Sequence, residues 1–158
     1  MTWSGAVEPD YFQFYARREG ADWLSKVTEE VYRDRLWTDG AFVVISTVRK
    51  FGTTPISVDV GAGPPGPPDD KWQHVVEVSL EAGGRLEILS WSDDREPLAI
   101  PDVPAGPVRL RVHWAGLVPG RFEGLDDDGN SDEHIAFVVW PAPVASPSVL
   151  REWGSWSW

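Results

Sequence analysis

The 158-residue sequence contains no cysteine, which excludes a disulfide framework, a thiol nucleophile and thiolate metal sites. Imidazole chemistry is limited to three histidines, His74, His113 and His134. No apolar run approaches the roughly 20 residues that a membrane helix needs. Residues 1–20 hold neither a basic stretch nor an apolar segment of signal-peptide type, so a soluble, cytoplasmic protein is expected. Positive charge is scarce too: 14 Lys and Arg stand against 25 Asp and Glu, a formal charge of −11. That balance argues against binding nucleic acid or an anionic membrane, both of which call for a basic face. Neither a Gly-x-x-x-x-Gly-Lys phosphate loop nor a Gly-x-Ser-x-Gly elbow occurs. No cofactor and no nucleophilic catalysis is therefore expected.

What is present is a 42% apolar composition with ten Trp, 15 Gly and 14 Pro. This length predicts one domain spanning residues 1–158, burying about two-thirds of its unfolded surface. The charge is uneven: residues 1–58 hold 8 acids and 7 bases, whereas residues 59–158 hold 17 acids and 7 bases. Between them runs Gly61-Ala-Gly-Pro-Pro-Gly-Pro-Pro68, so residues 61–70 read as a long surface loop rather than a linker between domains. Residues 144–158 form a Trp-rich tail, which has to fold back to bury Trp153, Trp156 and Trp158.

Apolar alternation of period two dominates the chain. It predicts strands over 10–17, 42–48, 55–60, 74–80, 86–91, 108–114 and 135–140. The run 42–48 is apolar enough to be buried on both faces. Ile56, Val58 and Val60 are expected to point inward, as are Val108, Leu110, Val112 and Trp114. Arg109, Arg111 and His113 alternate with the latter and predict a half-exposed strand with a polar outer side. Gly83-Gly84 reads as a hairpin turn joining two paired strands. Residues 22–37 fit a helix capped by Asp22 about as well as a strand, and Ser148 to Trp153 reads as a single helical turn. The expected fold is all-β: an antiparallel β-sandwich or jelly-roll-like domain with at most one or two short helices.

Three constellations bear on chemistry. The segment from Asp126 to His134 sets oxygens at positions 126, 128, 130 and 132, a spacing that suits a hard cation. It fails as an EF-hand loop, since Ser131 replaces the turn glycine and Phe137 the bidentate Glu, so a solvated acidic loop is the main expectation. His74 and His113 are possible cross-strand neighbours but lack a third ligand, and no metal site is assigned. Glu77 and Glu87, on strands expected to be adjacent, are a carboxylate pair of the kind glycoside hydrolysis uses, on a chain rich in such pairs. An all-β hydrolase ranks third among the functional readings. The ten Trp favour core packing for most of them, with sugar stacking or protein contact for any that are exposed.

Several segments recur in a familiar order: Asp10-Tyr-Phe-Gln-Phe14, Trp72-Gln-His-Val-Val-Glu-Val-Ser-Leu80, Pro104-Ala-Gly106, Arg109-Leu-Arg-Val-His113, Asp132-Glu-His134 and Val139-Trp-Pro-Ala-Pro143. This layout resembles a widespread group of small all-β bacterial proteins similar to the competence-associated nuclease-inhibitor family, over most of residues 10–143. The resemblance implies a non-enzymatic, immunity-type or nuclease-inhibiting protein whose partner is a nuclease or toxin. Electrostatics agree, because an acidic surface steers toward the basic groove of a nuclease. The acidic run nominates Glu123, Asp126, Asp127, Asp128, Asp132 and Glu133 as partner-binding residues. The alternative is a Trp-mediated carbohydrate-binding module.

Overall fold

The computed structural model describes residues 2–21, 35–49, 51–90, 97–117, 120–121, 132–153 and 156–157. Its strands are β1 (Thr2–Val7), β2 (Gln13–Arg18), β3 (Leu36–Thr38), β4 (Phe42–Ser46), β5 (Thr54–Val60), β6 (His74–Glu81), β7 (Leu86–Leu89), β8 (Leu98–Ile100), β9 (Pro107–Ala115), β10 (Gly120–Arg121), β11 (His134–Pro141), β12 (Ser148–Arg151) and β13 (Trp156–Ser157). Among the described residues there is no helix. One sheet runs β1-β5-β11-β9-β6-β12 and a second runs β3-β4-β2-β7-β8, while β10 and β13 pair separately. Pairing is antiparallel except between β5 and β11, where Ile56 lies opposite Ile135, and between β10 and β13. The chain is an all-β sandwich.

Alternation explains the packing. Val76, Val78 and Leu80 on β6, Leu110, Val112 and Trp114 on β9, and Ile135, Phe137 and Val139 on β11 all enter one core. Phe14, Ala16, Val43, Ile45, Leu86 and Ile88 meet them from the second sheet. Phe14 and Phe137 touch edge to face across the layers, with ring centroids 6.1 Å apart, a contact worth roughly 0.5–1.5 kcal/mol beyond area burial. The indole N–H of Trp114, a wholly buried residue, donates to the Ser46 carbonyl at 2.9 Å and so ties one sheet to the other. The expectation for Phe42 to Val48 holds, since each of these residues is buried. Its outward side chains Phe42 and Val44 join Tyr15 and Leu89 in a second apolar cluster on the outer face of the smaller sheet.

Several expectations are corrected. Gly83-Gly84 does not close a hairpin, because β6 and β7 lie in different sheets. Both glycines have positive φ, and the turn carries the chain across the sandwich. Ser148–Arg151 is a strand, not a helical turn, because the open edge of β6 offers its backbone groups as partners. Of residues 22–37, those from 22 to 34 lie outside the described set, and Leu36–Thr38 is strand β3. Strands β1, β3, β8, β10, β12 and β13 add to the expected seven; each is short or lies at a sheet edge, where alternation is too brief to read.

Candidate functional site

One end of the sandwich gathers most of the unusual chemistry. Registers place the starts of β2, β3, β5, β6 and β11 there, with the ends of β1, β4 and β9. At this end Glu133 is wholly buried. Its carboxylate accepts the backbone N–H of Val48 at 2.7 Å and that of Arg49 at 3.4 Å. Arg35, 2% exposed, supplies the compensating charge. Burial lowers its pKa to about 10, and the attraction of Glu133 opposes that shift. The Arg35 guanidinium also lies 5.4 Å from the centroid of the Trp153 ring, while the Trp153 N–H donates to His74 Nδ1 at 3.1 Å. The described part of the tail therefore folds back onto the body, as burial of Trp153 requires. Gly116 has φ +73, and a Cβ there would run into the Asp132–Glu133 backbone, so only glycine lets these two chains meet.

The same end carries an aromatic turn. Asp10 and Gln13 exchange backbone hydrogen bonds of 2.9 and 3.3 Å across Tyr11 and Phe12, which both have positive φ (49° and 69°). Two-residue turns of this hand ordinarily use Asn-Gly or similar pairs, since bulky side chains are strained there. The turn is fixed to its neighbour by Thr47 N–H, which donates to the Phe12 carbonyl at 2.7 Å. Phe12 turns inward, whereas Tyr11 is 65% exposed and meets the ring of Phe51, itself 45% exposed, at 5.3 Å.

On the outer face of the larger sheet a second polar assembly takes shape. Glu77 accepts Arg111 Nε at 2.7 Å and Arg109 Nε at 3.3 Å, on registers that place Glu77 opposite Arg111 and Ser79 opposite Arg109. Arg109 also donates to the Ala145 and Ser146 carbonyls, and Arg111 to that of Gly66. Arg151 binds the carbonyls of Pro68, Asp69 and Trp72. The Pro/Gly-rich loop and the segment before β12 thus form straps over this face. They bury Arg109, Arg111 and His113, which the sequence reading placed half-exposed. Those side chains do point outward; a third layer covers them.

His113 packs against Trp72 with ring centroids 5.1 Å apart, and its Nδ1 lies 3.2 Å from the Ala136 carbonyl. Burial pulls its pKa down to about 4, against a smaller rise from the Ala136 bond. The folded-state pKa is therefore below the unfolded value of 6.5. Its contribution to stability is complete above pH ~6.5 and is lost as pH falls toward 4, over a span of order 3 kcal/mol. His113→Asn, which retains a donor for Ala136, is expected to flatten the stability profile between those pH values in urea titrations. An unchanged slope would remove His113 as its source.

The sequence-nominated residues separate. Asp132 is exposed at the end just described. Glu133 is not a surface contact: its carboxylate is committed to the Val48 and Arg49 amides inside the protein. Glu123, Asp126, Asp127 and Asp128, and with them the cation-like spacing from 126 to 130, lie outside the described residues. His74 and His113 project to opposite faces of the sheet, for His74 pairs with Trp114 and His113 with Val75. Among the described residues no cluster of three His, Asp or Glu is placed to hold a metal. Glu77 and Glu87 stand in different sheets, on opposite outer faces, and Glu87 is paired with Arg17 at 3.4 Å. They are not a catalytic couple. Of the tryptophans whose side chains are described, none is exposed; among the described residues Tyr11 and Phe51 are the exposed aromatics, and no periodicity marks them.

No protein-family model and no curated protein matches the sequence. The fold is similar to that of ComJ, inhibitor of the DNA degrading activity of NucA, from Bacillus subtilis. Their TM-score is 0.62 at 15% identity, covering 87% of this chain and 96% of that one. The structure titled crocagin biosynthetic gene J is similar in equal degree, with a TM-score of 0.62 at 13% identity over 90% of this chain and 98% of that one. The resemblance read from the order of segments thus holds in three dimensions, as a shared fold.

Proposed function

We propose that this chain is a non-enzymatic binding protein that silences a protein partner, a DNA-degrading nuclease. The observation that carries the reading is the likeness to ComJ over 96% of that inhibitor's length. Several described carboxylates and imidazoles support it, because they already hold partners: buried Glu133 has backbone amides, half-buried Glu77 two arginines, and buried His74 the Trp153 amide. Groups so occupied are poor acids or bases for substrate. Asp132 and the acidic run Glu123 and Asp126 to Asp128 supply the charge that meets a basic nuclease groove. Glu133 anchors the return of that run into β11 from within.

The test is degradation of fluorescent DNA by NucA and a panel of other cationic nucleases, titrated with the protein. At least one nuclease is expected to be blocked near stoichiometric ratio. Changing Asp126, Asp127 and Asp128 together to Asn should weaken inhibition by roughly tenfold or more and flatten the salt dependence of association. If no nuclease slows, the reading fails. Equal inhibition by the triple variant, with an unchanged association rate, removes the acidic run from it.

A further inference from the structure

We propose that the exposed turn from Pro64 to Pro67 is a docking ligand, read by a partner protein through an aromatic-lined groove with a basic rim. It rests on residues that the inhibitor reading does not use.

Backbone conformation comes first. In Pro64-Pro65-Gly66-Pro67-Pro68 each proline ring holds φ at about −65°, and each residue before a proline is kept out of the helical region. Gly63 and Gly66 could escape through positive φ, as Gly52 and Gly106 do, but neither does. No bend interrupts residues 64–66. The segment is therefore one turn of polyproline II helix, with about three residues per turn and a rise of roughly 3.1 Å per residue. Pro64 and Pro67 stand on one side of it, about 9 Å apart along the axis.

Burial follows the same period. Pro65 and Pro68 are half-buried against the body, while Pro64 and Pro67, together with Gly63 and Gly66, are exposed. A Cβ at Gly63 or Gly66 would meet nothing within 4 Å, so the outward side faces open space. Spacing alone does not produce such a ridge. Pro101, Pro104 and Pro107 also recur every third residue, yet positive φ at Asp102 and Gly106 breaks that run, and Val103 within it enters the core.

The turn is also held from below. Gly61 N–H donates to the Val139 carbonyl at 2.8 Å, Arg111 to the Gly66 carbonyl at 2.7 Å, and Arg151 to the Pro68 and Asp69 carbonyls at 3.4 and 2.8 Å. A helix without internal hydrogen bonds is thereby ordered in advance, which lowers the entropy cost of docking. These bonds use carbonyls, which any residue supplies; the outward rings of Pro64 and Pro67 take no part in them. Among the described residues the Pro64 and Pro65 carbonyls accept no hydrogen bond. They stand ready for the Trp or Tyr donors of a groove that reads this helix. Charge then selects the rim. Asp69 and Asp70 follow directly and are exposed, whereas the Lys71 ammonium lies 4.8 Å from the Trp72 ring centroid. Two carboxylates beside the ridge attract a cationic rim and repel an acidic one.

The probe is a purified WW domain whose aromatic groove is flanked by Lys or Arg, titrated by NMR against the whole protein. An SH3 domain with an acidic rim is titrated beside it. The WW domain is expected to bind saturably, more tightly than about 1 mM, with shifts centred on residues 63–67. The SH3 domain should bind at least roughly fivefold more weakly. Pro64→Ala and Pro67→Ala are each expected to weaken WW binding by roughly fivefold or more. Their Tm should stay within about 4 °C of wild type, since loss of an exposed ring changes mainly the entropy of the unfolded chain. Pro101→Ala, on the broken run, should bind as wild type does. The proposal is overturned if the WW domain does not bind, if Pro64→Ala and Pro67→Ala both bind within about twofold of wild type, or if Pro101→Ala loses as much affinity as they do. Tighter binding by the SH3 domain overturns the basic rim and with it the choice of partner. Rapid proteolysis within 61–70 in both variants also overturns it, because the two rings then serve the strap and not a ligand.

Discussion

Replacing Glu77 by alanine is expected to lower stability by about 3–5 kcal/mol, the usual cost of stranding buried charges. Arg109 and Arg111 are each 6% exposed and share this one carboxylate. Without it, two guanidiniums remain inside with carbonyls, the Ser79 and Ser148 hydroxyls and the Trp140 ring for company. Those carbonyls belong to the straps, at Gly66, Ala145 and Ser146. Glu77→Ala should therefore also expose residues 61–70 and 142–147 to proteolysis well below the global melting temperature. Urea unfolding and a timed protease digest read the two effects. The triple variant Glu77→Leu, Arg109→Leu, Arg111→Met removes the charges together and should be less damaged than Glu77→Ala alone. Were the single variant the more stable of the two, or lost stability below about 1 kcal/mol, the network would not be holding the straps.

Glu133→Gln is expected to cost about 3 kcal/mol, or roughly 10 °C in Tm for a domain of this size. The amide keeps one acceptor oxygen. Its NH2, however, faces a backbone N–H where the second carboxylate oxygen stood, and Arg35 loses its opposing charge in a site that already penalises ionisation. Thermal melts read the stability loss. A drop of less than about 1 kcal/mol would show that Glu133 holds this end by shape and not by charge.

Alternation made the larger strands legible, because one residue in two must avoid water wherever a sheet has a buried face. Ile56, Val58, Leu110, Val112 and Trp114 followed that rule without exception. The rule reports only which side chains share a face and not what lies above it. Arg109, Arg111 and His113 are indistinguishable in sequence from solvated residues, and only strap contacts from 30 or more positions away bury them. Gly83-Gly84 fails for a related reason: positive φ at two glycines marks a sharp reversal but not whether the next strand pairs or crosses to the other layer. Glu133 shows the limit most clearly for function. It ends an acidic run, so its sequence context is that of solvent, yet two backbone amides 84 and 85 residues earlier claim it.

The alignment of β5 with β11 has a consequence for synthesis. Ile56 must wait for Ile135 before the middle of the larger sheet exists, so closure joins chain ends translated far apart. While the intervening stretch leaves the ribosome, β5 has β1 on one flank only, and its other flank is an invitation to mispairing that a chaperone, or simple speed of translation, has to cover.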